Sequence, residues 1–74
     1  MAQNEFVNTE IIIDRIAAIL EPHSQERVYD KEVSAVLRIH PVTLAAKKKR
    51  NSPPIKEILL FCHRTGLDPM KILF

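Results

Sequence analysis

The sequence predicts a compact all-α domain of five short helices. Three observations lead there. Apolar residues recur at three- and four-residue spacing in successive segments, and no segment alternates as a strand would. Five prolines but only one glycine, Gly66, punctuate the chain, which suits helix ends better than hairpin turns. With 74 residues, 46% of them apolar, there is material for one small core.

The elements follow in order. Residues 1–7 are expected to form a flexible N-terminal segment, although Phe6 and Val7 could pack on the body, and the domain proper spans 8–74. Asn8 or Thr9 can cap a first helix with Glu10 in its first turn. Ile12, Ile16, Ile19 and Leu20 form its apolar stripe, and Pro22 stops it before the polar stretch "HSQER". Asp30 can cap a second helix in which Val33, Val36 and Leu37 face inward. Pro41 is excluded from a helix interior but fits the first position of a third helix, "PVTLAAKKKR". A tight turn at Arg38, Ile39 and His40 therefore separates helices two and three. Asn51 and Ser52 end the third helix, and Pro53-Pro54 makes a stiff joint. A fourth helix begins at Pro54 or Ile55. Its Ile55, Ile58, Leu59 and Cys62 share one face, with Leu60 and Phe61 off it, and Gly66 supplies a left-handed cap. Asp68-Pro69 starts a short fifth helix, "MKILF".

Several function classes are poorly served by these residues. Cys62 is the sole cysteine, which rules out an internal disulfide and fits a reducing, cytoplasmic setting. Neither a secretory leader nor an apolar run of ~20 residues is visible, so no membrane span is expected. Cys62 and His63 are adjacent, hence about 100° apart on a helix and ill-placed as nucleophile and base. His23, His40 and His63 with one cysteine match no metal-ligand spacing. No catalytic residue, metal or cofactor is expected, and the chain does not read as an enzyme.

Charge is more informative. The net charge is +2, yet Val33–Lys56 holds six cations (Arg38, Lys47, Lys48, Lys49, Arg50, Lys56) and no acid. The other five cations are outnumbered by all nine acids. A charge run is usually only a solvated face, but so long an acid-free window points to an anionic partner. Two short helices joined through a three-residue turn form a helix-turn-helix unit, whose second helix can enter the DNA major groove. If Leu44 points inward, Val42, Ala45, Ala46 and Lys49 make one exposed stripe. Small apolar side chains can approach base edges and thymine methyls there, while Thr43, Lys47, Lys48, Arg50 and Ser52 reach phosphates. By periodicity alone, Val42, Ala45 and Ala46 could instead be the core face.

At these residues the chain resembles the helix-turn-helix domain of phage CI-type repressors, from about Asp30 to Leu73. The usual pattern has an "LA" pair in helix two, a "G-V-S" turn, a recognition helix ending in basic residues, then a proline and "I…FC…G(I/L)…WLL". Here Val33-Ser34 stands in the pair and Ile39 holds the apolar turn position. "KKRNS" with Pro54 matches the exit of the recognition helix. Ile58, Phe61-Cys62 and Gly66-Leu67 match the fourth helix and its end. The pattern departs at Arg38 (usually glycine), His40 (usually a serine cap) and Lys47 (usually large and apolar). A left-handed Arg38 would carry about 1 kcal/mol of strain relative to glycine.

The resemblance implies a lambda-repressor-like fold and sequence-specific binding of double-stranded DNA by a transcriptional regulator. An alternative is an antirepressor or adaptor that keeps the fold and binds an acidic protein. RNA binding is a weaker third reading, because Tyr29 and three phenylalanines are the whole aromatic supply for base stacking. The apolar end of the chain suggests a homodimer through helices four and five, with Leu60, Ile72 and Phe74 as contacts. The contrary reading has helix five folded back over the core of a monomer.

Overall fold

The structure is a computed structural model that describes residues 6–21 and 30–74. The described residues form five helices and no strand: α1 (Thr9–Leu20), α2 (Asp30–Leu37), α3 (Pro41–Arg50), α4 (Ile55–Thr65) and α5 (Met70–Leu73). Pro22 as the stop of α1, and the segment through Tyr29, lie outside the described residues. α1 packs against α2, α3 and α5, and α2 packs against α1, α3 and α4. These two helices are the hub on which the others are mounted.

The core gathers apolar residues from every helix: Ile12, Ile13 and Ile16 of α1, Val33 and Leu37 of α2, Leu44 of α3, Ile58, Phe61 and Cys62 of α4, and Ile72 and Leu73 of α5. Two polar side chains are buried with them, each satisfied. The Ser34 hydroxyl donates to the Lys31 carbonyl at 2.8 Å, and the Thr9 hydroxyl donates to Asn51 Oδ1 at 2.9 Å. That matters because a buried hydroxyl without a partner costs about 1–3 kcal/mol.

Local sequence explains most boundaries. Asn8 caps α1 by accepting from the Glu10 N–H at 2.8 Å, as expected of asparagine at that position. Asp30 is the first residue of α2, one position inside its expected place as the cap. Asp68 Oδ1 accepts from the Met70 N–H at 3.0 Å and so starts α5. Helices α2, α3 and α4 all end in a left-handed residue: Arg38 (φ 59°), Asn51 (φ 52°) and Gly66 (φ 75°). After each, the next N–H reaches back five residues: Ile39 to Ser34, Ser52 to Lys47, Leu67 to Cys62. Such caps satisfy carbonyls that would otherwise be orphaned. Only the last uses glycine.

Two expectations are corrected. Leu59, assigned to the inner face of α4, is 45% exposed, whereas Phe61, assigned outside, is 3% exposed. Both choices have helical spacing, and the larger aromatic surface gains more from burial. Ile72, expected at a dimer contact, is 1% exposed, because α5 folds back so that Ile72 and Leu73 close the core. Phe6 and Val7 pack on the body, the alternative the sequence allowed for them: the Val7 N–H donates to the Leu73 carbonyl at 2.9 Å. The Phe6 ring lies 5.2 Å from that of Phe74, tilted by 55°. Residues 1–5 lie outside the described set.

Two arginines complete the helix ends. Arg15 Nη1 donates to the carbonyls of Lys71 (3.4 Å) and Ile72 (3.2 Å). Arg64 Nη2 donates to the Val36 carbonyl near the end of α2. Cations suit helix C-termini, where the peptide dipoles leave partial negative charge. Arg38 is the one cap whose residue type opposes its conformation. Arg38→Gly should therefore stabilise the domain by about 0.5–1 kcal/mol, read as a higher denaturant midpoint at unchanged slope.

Candidate nucleic-acid interface

The turn between α2 and α3 is three residues long and over-determined. The Arg38 N–H donates to the Ala35 carbonyl at 3.1 Å and the Ile39 N–H to Ser34 at 3.0 Å, which closes α2. His40 then caps α3, its Nδ1 accepting from the Val42 N–H at 3.1 Å. Histidine thus does here what a serine usually does. Pro41 occupies the first turn, where no N–H is needed.

α3 gives the core one residue. Leu44 is 1% exposed, and Val42 on the opposite side is 70% exposed. The reading of Val42, Ala45 and Ala46 as a core face is thereby excluded. At about 100° per residue, Lys47 and Lys48 fall roughly 40–60° to either side of Leu44, and both are half-buried. Val42, Thr43, Lys49 and Arg50 face outward and are exposed, as are Ala45 and, just past the helix, Ser52. Ala46 is half-buried. The outward surface therefore joins a methyl-bearing centre, Val42 with Ala46, to the cations Lys49 and Arg50.

Lys48 is placed differently from the other expected phosphate ligands. Its Nζ lies 2.8 Å from Asp30 Oδ2, and this hydrogen bond raises the Lys48 pKa against the opposing effect of partial burial. Glu10 and Asp30 line a shallow cleft together with Ala45, Lys48 and Lys49. One flank of α3 is accordingly acidic.

The position of α3 is fixed by a residue the sequence marked only as a helix end. Asn51 Oδ1 accepts from both the Thr9 N–H (2.8 Å) and the Thr9 hydroxyl (2.9 Å). It joins the end of α3 to the start of α1. A long-range bond of this kind leaves no local sequence signal, beyond asparagine's tolerance of the left-handed region. Lys56, exposed at the start of α4, is a further cation close in sequence to Ser52 and was not among the expected ligands.

Of the residues expected at a dimer contact, Leu60 and Phe74 are exposed and Ile72 is not. Cys62 is buried, and burial pushes its thiol pKa up, with Asp68 adding to the shift. A thiol kept protonated in this way is a weak nucleophile. Among the described residues no three His, Cys, Asp or Glu side chains are grouped to hold a metal ion, and no helix is long and apolar enough to cross a membrane. Comparison with protein-family models, with curated proteins and with solved structures gives no match.

The division between one anchor and an outward face makes a direct contrast. Leu44→Ala should cost about 2–5 kcal/mol through the cavity it opens, whereas Val42→Ala should leave the unfolding midpoint almost unchanged. Parallel thermal and urea unfolding of the two variants measures the difference.

Proposed function

We propose that this domain binds double-stranded DNA as a repressor-like transcriptional regulator, with the outward face of α3 in the major groove. The observation that carries the reading is the exposure of Val42, Lys49 and Arg50 on a helix whose one buried residue is Leu44. A groove about 12 Å wide admits a helix, and α3 is mounted at the surface with Lys49 and Arg50 exposed at its end. Val42, Ala45, Ala46 and Lys49 would meet base edges, and Thr43, Arg50 and Ser52 the phosphates. The half-buried Lys47 plays a lesser part than its charge suggests.

The reading rests on charge and shape, so it makes an electrostatic prediction. With one or two phosphates neutralised per domain, Arg50 foremost, log K should fall against log salt with a slope of roughly −1 to −2. Arg50→Ala should weaken binding to all duplexes and flatten that slope by about one unit. Anisotropy titrations of labelled duplexes at several salt concentrations test both. A salt-independent response would remove DNA as the partner and favour an acidic protein on the same face.

We further propose that the domain pairs symmetrically through α4 and α5. Leu59, Leu60, Met70 and Phe74 are large, apolar and exposed there, and exposed apolar surface of this kind commonly marks an interface. A second copy is the fitting occupant, because pairing sets two reading helices about 34 Å apart, one turn of DNA. Sedimentation at tens of micromolar should give a concentration-dependent mass above 8.5 kDa, abolished by Leu60→Asp. A constant monomer mass would reject pairing.

A further inference from the structure

The Lys48–Asp30 pair sits at the edge of the face assigned to DNA, and its geometry opposes that use. A lysine that neutralises a phosphate must give up, or share, any carboxylate already bound to it. Here the carboxylate is 2.8 Å away, and it does not stand alone. Glu10 lines the same cleft, and Glu10 and Asp14 add their attraction for the Lys48 ammonium. Lys31 and Glu32 are neighbours of Asp30 on α2, and Lys49 follows Lys48 along the rim of the cleft. A phosphate approaching Lys48 from this side meets acids on both α1 and α2.

We propose that Asp30 is an internal competitor for the DNA backbone: it occupies Lys48, confines phosphate contact to the Arg50–Ser52 flank of α3, and so weakens sequence-independent binding. This rests on the DNA reading above and adds to it a residue that sets the sequence-independent part of the affinity. The logic is one of competition. Sequence-independent affinity comes from neutralised phosphates, whereas discrimination comes from contacts to bases. Removing one cation from the phosphate contacts lowers the first and leaves the second. The pair is well suited to this because it is partly open, with side-chain exposures of 28% for Lys48 and 55% for Asp30. Exposed pairs contribute little to stability, so the acid can be changed without unfolding the domain.

The test uses four proteins: the natural chain, Asp30→Asn, Lys48→Ala and the double variant, each checked for unchanged helicity and melting. They are titrated with a random-sequence duplex across salt concentrations, with Arg50→Ala alongside. Asp30→Asn should bind about two- to tenfold more tightly at low salt, with a slope steeper by about 0.9, the value of one added phosphate contact. Lys48→Ala alone should change little, and the double variant should bind as Lys48→Ala does. A gain from Asp30→Asn that survives in the Lys48→Ala background would overturn the proposal, since the acid would then act only through its general field. Equal binding by Asp30→Asn and the natural chain would also overturn it, while a weakened Arg50→Ala would leave the DNA reading standing. Absence of salt-dependent binding in every protein would remove both.

Discussion

The arrangement depends on Asn51. In a left-handed conformation it ends α3, and its side-chain oxygen receives both donors of Thr9, the residue that opens α1. Thr9 is fully buried, so its hydroxyl has no water to turn to. One amide thus ties the end of α3 to the first residue of α1, beside the cap that Asn8 supplies. Because a lost bond to a buried donor costs more than a made bond contributes, this contact fixes the pose of α3 against α1 far more firmly than its count of atoms implies. Leu44 supplies the apolar half of the attachment, and the exposed Lys48–Asp30 pair adds at most about 1 kcal/mol. Packing and backbone satisfaction, not charge, set where the cationic helix points.

The same device recurs along the chain. Three helices end by reversing into the left-handed region, and each reversal starts the chain toward the next element within a few residues. That economy matters in a domain of this length, where every residue spent in a loop is lost to the core. It also explains why proline and glycine are used so unequally. Prolines begin helices or stiffen joints, as at Pro41, Pro53 and Pro69, while left-handed ends are given to arginine and asparagine as well as glycine. Arginine at such a point is strained, and the two bonds made by Arg38 and Ile39 to the end of α2 hold it there.

Much of this was legible in the sequence. The five helices, the Pro41 start of α3, the Gly66 end of α4 and the inward Leu44 follow from spacing and from the chemistry of helix ends. What escaped is long-range. Periodicity defines an apolar stripe only to within about one residue, so Leu59 and Phe61 exchanged places on α4. Ile72 was assigned to a dimer contact because the end of the chain is apolar as a whole, and local pattern does not say how far α5 folds back. Phe6 and Val7 carry no helical signal, and their placement comes from contact with Leu73 and Phe74 at the other end of the chain. In the candidate interface, the outward residues of α3 were recoverable, but the pairing of Lys48 was not. Asp30 lies eighteen residues away, and nothing local joins the two.

A helix that lends the core a single side chain is lightly bound by selection for folding. Exchanges at Val42, Thr43, Ala45, Lys49 and Arg50 disturb no packed neighbour, so they are expected to fall within the small stability range of surface substitutions. Leu44 and Asn51, by contrast, hold the backbone on which those five are displayed. Over evolutionary time the displayed residues can drift, and new preferences can arise by single replacements, while the frame beneath them is conserved by its own energetics. The fold thus separates inheritance of shape from invention of surface.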